Sequence, residues 1–179
     1  MGRTVLVVGG GGREHALAIG LVESPSVDSV HVAPGNAGTA QIATNHSVSA
    51  SDVDGQVALA QTLGVDLVVV GPEAPLVAGL SDALRAIGIP SFGPHADGAM
   101  LEGSKDFAKQ VMLDLGIPTA GVQHLTQETD LDEAIDRWGS PWVVKRDVLA
   151  GGKGVVVTEN RDEALEFIQS SIESDGMVL

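Results

Sequence analysis

Lys145 and Lys153 stand within the run W-V-V-K-R-D-V-L-A-G-G-K-G-V-V-V, residues 142–157, and Gly151, Gly152 and Gly154 surround the second lysine. Glycine has no Cβ, so its backbone can close on a bulky anion and aim N–H groups at phosphate oxygens. Two ammonium groups beside such a loop suit a polyphosphate. The β-branched pair Val143-Val144 and the run Val155-Val156-Val157 read as buried strands on either side. Lys145 then leaves the end of the first strand and Lys153 sits at the loop tip. A plain glycine-rich hairpin with solvated lysines fits the same pattern. The P-loop is excluded, because it needs G-x-x-x-x-G-K-[ST] opening a helix, with a hydroxyl for Mg²⁺. Here Gly152-Lys153 runs into Gly154 and then a strand. A phosphate-covering loop between antiparallel strands is a lid.

A second group of candidates lies upstream. Gly9, Gly10, Gly11 and Gly12 precede Arg13, Glu14 and His15; Pro34, Gly35 and Asn36 form another turn; Gly71, Pro72 and Glu73 form a third. The first stretch has the order strand, glycine turn, helix, which sets a helix N-terminus against an anion. A dinucleotide fingerprint is not met. G-x-G-x-x-G has His15 or Glu14 in its third glycine position, and the second strand ends in Ala33-Pro34-Gly35-Asn36 without the acidic ribose ligand.

The elements that must position these residues alternate in type. Thr4–Val8 reads as a strand, followed by a helix with Ala16, Leu17, Ile19 and Leu21 on its inner side. Ser29–Ala33 reads as a strand, Val53–Leu63 as a helix, Asp66–Val70 as a strand and Leu76–Ile87 as a helix. Ser91-Phe92 is a short strand, and Ser104 caps a helix whose apolar face is Phe107, Ala108, Val111, Met112 and Leu115. Gly64, Gly88 and Gly116 each follow a last helical turn. Such alternation indicates a parallel sheet covered on both faces. Ligands then bind beyond the carboxyl ends of the strands, where all three glycine turns fall, so one pocket is expected. A domain boundary is expected between Gly116 and Gln123, giving domains 1–120 and 121–179. The second holds a strand-like stretch at Gly121–Leu125, a helix at Leu131–Trp138, the hairpin, and a helix at Asp162–Ile172. Trp138, Trp142 and His31 are assigned to packing. The chain stops at Leu179 as another apolar run begins, so a truncated domain is expected.

Composition removes several classes. The 179 residues include 24 acidic against 10 basic side chains, a net charge of −14, which argues against a nucleic-acid partner. With 44% hydrophobic and 3% aromatic residues, the core must be built from Val, Leu, Ile and Ala. Cysteine is absent, which excludes disulfides and thiolate metal sites and suggests a reducing, cytoplasmic setting. No apolar run approaches the ~20 residues of a membrane span, so no membrane partner is expected.

Several spans together resemble the glycinamide ribonucleotide synthetase family (phosphoribosylamine–glycine ligases). They are V-L-V-V-G-G-G-G-R-E-H-A-L (5–17), A-P-G-N-A-G-T (33–39), G-P-E-A-P-L-V-A-G (71–79), G-I-P-S-F-G-P (88–94), L-E-G-S-K (101–105), G-I-P-T-A (116–120) and A-G-G-K-G-V (150–155). The resemblance implies an α/β chain. Its first part would be a parallel-sheet, Rossmann-like pre-ATP-grasp domain, and its second a small α+β ATP-grasp flap, incomplete at the C-terminus. It implies ligation of glycine to 5-phospho-β-D-ribosylamine with ATP and a divalent metal (Mg²⁺ or Mn²⁺), through a glycyl phosphate, in purine synthesis. Residues 9–15, 34–36 and 71–73 would line the phosphoribosylamine side. Lys105 and Lys145 would face ATP phosphates, and Gly151, Gly152, Lys153 and Gly154 would form the lid, with Lys145 and Lys153 supporting the chemistry.

This sequence departs from the family pattern V-K-A-D-G-L-A-A-G-K-G-V at Arg146, Val148 and Gly151. Val148 would be strained if the glycine it replaces were left-handed. Metal ligands and the adenine-contacting segment are expected beyond Leu179, so the chain alone is expected to be inactive. Two alternatives stay open. One is a related ligase or carboxylase for another purine intermediate, against which G-G-G-G-R-E-H and G-P-E-A-P-L argue. The other is a non-catalytic module that binds a nucleotide or a sugar phosphate.

Overall fold

A computed structural model describes residues 2–149, 154–175 and 177–178. They fall into two compact units, Met1–Ala99 and Met100–Leu179.

In the first unit, the runs rich in valine form β1 (Arg3–Gly9), β2 (Val27–Pro34) and β4 (Leu67–Val70), with the short strands β3 (Thr44–Asn45) and β5 (Ser91–Phe92) at the edges. All pairings are parallel, in the order β3-β2-β1-β4-β5. Side chains alternate across a strand, so β1 feeds two cores. Val5 and Val7 meet Val30, Val32, Val69 and Ala18 on one face. Leu6 and Val8 meet Ala33, Val68, Val70, Ala60, Leu80 and Leu84 on the other. Burying one such side chain contributes about 1.5–3 kcal/mol, which explains why an apolar run in this chain becomes a central strand.

Helix α1 (Gly12–Val22) covers the first face. Its inner side is Glu14, Leu17, Ala18 and Leu21, whereas Ala16 is exposed and Ile19 is 41% exposed. The expected face was thus rotated, because Glu14 takes an interior position that an apolar count overlooks. Helix α2 (Val53–Leu63) packs on the second face, with Asp52 accepting the Gly55 N–H at 3.0 Å as its N-cap. The expected helix over 76–87 is two helices, α3 (Glu73–Val77) and α4 (Leu80–Ala86), divided by Gly79 in a left-handed conformation, φ 88°. Gly64, Gly88 and Gly116 do end helical segments at positive φ. Helix α5 (Ala96–Gly103) carries no strong apolar period and was not expected; Asp82 accepts the Ala96 N–H at 2.8 Å, near its start.

The second unit begins within α5 and continues with α6 (Lys105–Asp114), capped by Ser104, whose hydroxyl accepts the Phe107 N–H at 3.0 Å. Its expected apolar face is not buried: Phe107 and Leu115 are exposed. A four-stranded sheet follows, ordered β6-β9-β7-β8, from β6 (His124–Leu125), β7 (Trp142–Arg146), β8 (Val155–Thr158) and β9 (Met177–Val178), its pairings antiparallel. Helices α7 (Leu131–Trp138) and α8 (Arg161–Asp175) supply its core with Ala134, Ile135, Ala164 and Ile168, against Leu125, Trp142 and Val144. Trp142 is buried, but Trp138 is half exposed and donates to Gln123 Oε1 at 3.0 Å. The compact units divide after Ala99, whereas the sequence suggested a boundary after Ala120. Helix α6 belongs with the later residues because Asp147, following β7, bonds to its first turn. Among the described residues no helix is long and apolar enough to cross a membrane.

Candidate functional site

In the sheet order β3-β2-β1-β4-β5, the chain first winds outward from β1 through β2 and β3, then returns to the other side of β1. The switch point lies between β1 and β4, where open α/β sheets bind ligands beyond the strand ends. The turns after these two strands are Gly9–Gly12 and Gly71–Glu73, and the turn after β2 lies alongside.

The three expected loops do come together. Gly35 N–H donates to Gly9 C=O at 3.1 Å, and Gly71 N–H donates to Val8 C=O at 3.0 Å. Asn36 knits two loops: its Nδ2 donates to Gly10 O at 3.0 Å and Gly11 O at 3.3 Å, while its Oδ1 accepts the Gly38 and Thr39 N–H groups. Thr39 and Asn45 lock that turn from below; the Thr39 hydroxyl and the Asn45 Nδ2 serve Asn45 Oδ1 and Asn36 O, each at 2.8 Å. Neither residue was singled out from sequence, since short polar side chains in loops carry no distinguishing pattern. Gly10 approaches closely too, for a Cβ there would sit 2.8 Å from Gly35 O.

Arg13 spans the switch point. Its Nη1 donates to Gly71 O at 2.7 Å and to Glu73 Oε1 at 2.8 Å, with its side chain 61% exposed. The hydrogen bond from Arg13 holds the Glu73 carboxyl below its ordinary value, aided by the Glu73 backbone N–H. Gly10 to Arg13 are exposed at the positive end of α1. Glu14 and His15 are placed differently. Glu14 is buried and accepts the Gly11 N–H at 2.6 Å. The His15 ring lies against Gly38, where a Cβ would collide with it. Pro34 and Pro72 shape the ends of their strands' loops without a backbone N–H or a polar side chain, and offer only their carbonyl oxygens as acceptors.

In the second unit, Lys145 pairs in register with Val155, and Val143 with Val157. Directly opposed residues share a face, and on this face Val143 and Val155 are 41% exposed and Val157 66%. The other face, with Trp142, Val144 and Thr158, is buried. Lys145 thus stands on an open valine surface that suits a flat apolar ring beside an anion. Lys105 Nζ donates to Val148 O at 2.9 Å, so this cation is held at the start of the glycine loop. Val148 is not left-handed: among the described residues no non-glycine has positive φ, and the expected strain is absent. Gly151, Gly152 and Lys153 lie outside the described residues; Gly154 is buried, and its C=O accepts the Arg146 N–H at 2.8 Å. Among the described residues no three His, Asp or Glu side chains cluster to hold a metal. A separate open hollow of about 360 Å³ borders Val22, Val27–Val30 and Ile42, and holds none of the expected site residues.

Two family models match the chain in sequence order. "Phosphoribosylglycinamide synthetase, N domain" matches residues 3–102, and "Phosphoribosylglycinamide synthetase, ATP-grasp (A) domain" matches residues 103–177. A phosphoribosylamine–glycine ligase from Mycobacterium tuberculosis is 51% identical over 180 residues, covering 98% of this chain and 43% of the relative. The Streptomyces coelicolor ligase is 55% identical over 160 residues, covering 89% and 38%. The crystal structure of the Thermotoga maritima phosphoribosylamine–glycine ligase superposes with a TM-score of 0.72 at 31% identity, over 98% of this chain and 42% of that one. An ADP complex of N5-carboxyaminoimidazole ribonucleotide synthetase shares the fold, with a TM-score of 0.78 at 20% identity, over 99% and 46%. The chain therefore spans well under half the length of these relatives. With one model matching most of its length and the second continuing where the first stops, the chain belongs to the phosphoribosylglycinamide synthetase family.

Proposed function

We propose that this chain is the N-terminal portion of an ATP-dependent ligase that joins glycine to 5-phospho-β-D-ribosylamine, forming glycinamide ribonucleotide for purine synthesis in the cytoplasm. The observation that carries the reading is the meeting of three loops at the switch point, with Arg13 across it. An exposed guanidinium at the positive end of a helix favours a sugar phosphate. Glu73 beside it supplies acceptors for ribose hydroxyls. Because the phosphoribosylamine itself carries the nucleophilic amine, no side-chain nucleophile is required.

ATP would lie on the open face of the second unit's sheet. Val143, Val155 and Val157 offer apolar surface, while Lys145 and Lys105 offer positive charge to the phosphates. Gly151 to Gly154, with Lys153, would cover them and exclude water. Divalent metal would screen the phosphate charge, through ligands that this reading puts beyond the 179 residues.

The test is ADP release by the complete product of the native gene, set beside its intact mass. A longer product whose ADP release requires both glycine and phosphoribosylamine supports the ligase, with the 179-residue chain alone inactive. ADP release by the short chain would overturn its assignment as an incomplete catalyst. A native product ending at Leu179, binding ribose 5-phosphate without turnover, would support the non-catalytic module.

A further inference from the structure

Among the described residues of the first unit, Glu14 is the one buried acidic side chain, at 5% exposure. Its position follows from the helix: it is the third residue of α1, and its carboxylate turns back to accept the N–H of Gly11, the N-cap. A negative charge there also meets the positive end of the helix. The same carboxylate fills the space between two loops. A Cβ on Gly9 would lie 2.6 Å from Glu14 Cγ, and one on Gly71 would collide with Glu14 Oε1. Gly9 and Gly71 thus leave room for the Glu14 side chain, and the backbone after β1 and the backbone after β4 both rest on it. Arg13, the adjacent residue, reaches over the same gap to Gly71 O and Glu73 Oε1.

We propose that Glu14 is a positioning residue: its buried carboxylate wedges between the loops after β1 and β4, fixes the start of α1, and thereby sets where the Arg13 guanidinium stands relative to Glu73. Arg13 and Glu73 then present a preset cation–carboxylate pair to the ligand, while Glu14 does not touch it. The significance for ligation rests on the substrate reading above; the wedge itself does not.

The experiment uses the Arg13–Glu73 pair as its own reporter in the 179-residue chain, without ligand. Carbon-13 NMR follows the Glu73 carboxylate through an acid titration. In the parent chain Glu73 titrates below the ordinary glutamate value because Arg13 is held against it. With Glu14→Ala its titration moves up toward that ordinary value. With Glu14→Gln, which keeps the length and one acceptor for Gly11 N–H, it stays low. A loss of global stability alone would not move this titration in the folded population. Should Glu14→Ala fail to fold, Glu14→Asp, with the carboxylate retracted by one methylene, is expected to move Glu73 in the same direction. A folded Glu14→Ala or Glu14→Asp chain with Glu73 unchanged overturns the proposal. Failure here leaves the substrate reading intact, and failure of ligation leaves the wedge intact.

Discussion

Asp147 accepts the Ser104 hydroxyl at 2.8 Å, together with the backbone N–H groups of Lys105 and Asp106. A residue that follows β7 therefore caps a helix far upstream. Ser104 in turn accepts the Phe107 N–H, so two side chains from distant positions satisfy the first turn of α6. Such a cap contributes about 0.5–2 kcal/mol. Asp147→Ala should destabilise the second unit by roughly that amount in urea unfolding, and Asp147→Asn by less. Equal stability of Asp147→Ala and the parent would show that the cap contributes nothing.

Gly64 ends α2 at φ 59° with open space where a Cβ would stand. Gly64→Ala should cost about 1 kcal/mol, the backbone penalty alone, and Gly64→Asn less. Gly71→Ala faces the Glu14 carboxylate and should cost more. If the two alanine variants melt alike, the crowding around Glu14 is not felt.

Leu84 and Ile135 are fully buried, one in each unit. Truncation of either to alanine should cost about 2–5 kcal/mol, from lost transfer energy and the cavity left behind. Amide hydrogen exchange should localise the loss: β1 and β4 for Leu84→Ala, β7 for Ile135→Ala. Uniform acceleration in both units would mean that the chain unfolds as one.

His31 Nδ1 and His46 Nε2 lie 2.9 Å apart across the sheet edge, in a bond that requires one ring to be neutral. Burial, and secondarily the charge of His46, lower the His31 pKa from 6.5. The folded chain then binds fewer protons than the unfolded one in the window below 6.5, so stability falls as pH falls through it. The urea midpoint should drop between about pH 7.5 and about pH 5.5, and by less in His31→Gln. The same drop in both proteins would assign the effect elsewhere.

The two lysines of the hairpin should separate kinetically in the complete gene product. Lys145 is fixed on a strand, so Lys145→Ala should raise KM for ATP and slow turnover. Lys153→Ala should lower kcat by roughly 10–10³-fold with a smaller change in KM, as expected for charge stabilisation made chiefly in the reacting state. Wild-type turnover by Lys153→Ala would reduce the glycine run to a structural hairpin.

What was legible in the sequence was whatever short-range physics decides. The strands at Thr4–Val8 and Asp66–Val70, the glycines closing helical segments at 64, 88 and 116, and the cap at Ser104 all depend on neighbours in the chain. The three glycine loops could be grouped because strand–helix alternation sends parallel strand ends to one edge. Tertiary structure alone decided which side chains at that edge face inward. Glu14 and His15 directly follow Arg13 in the chain, yet Glu14 is turned beneath the loops, His15 packs on Gly38, and Arg13 crosses to Glu73. These choices depend on how the loops after β1, β2 and β4 meet, which no local pattern encodes. The assignment of α6 to the second unit has the same origin: its cap, Asp147, follows β7 and lies 43 residues from Ser104 in sequence.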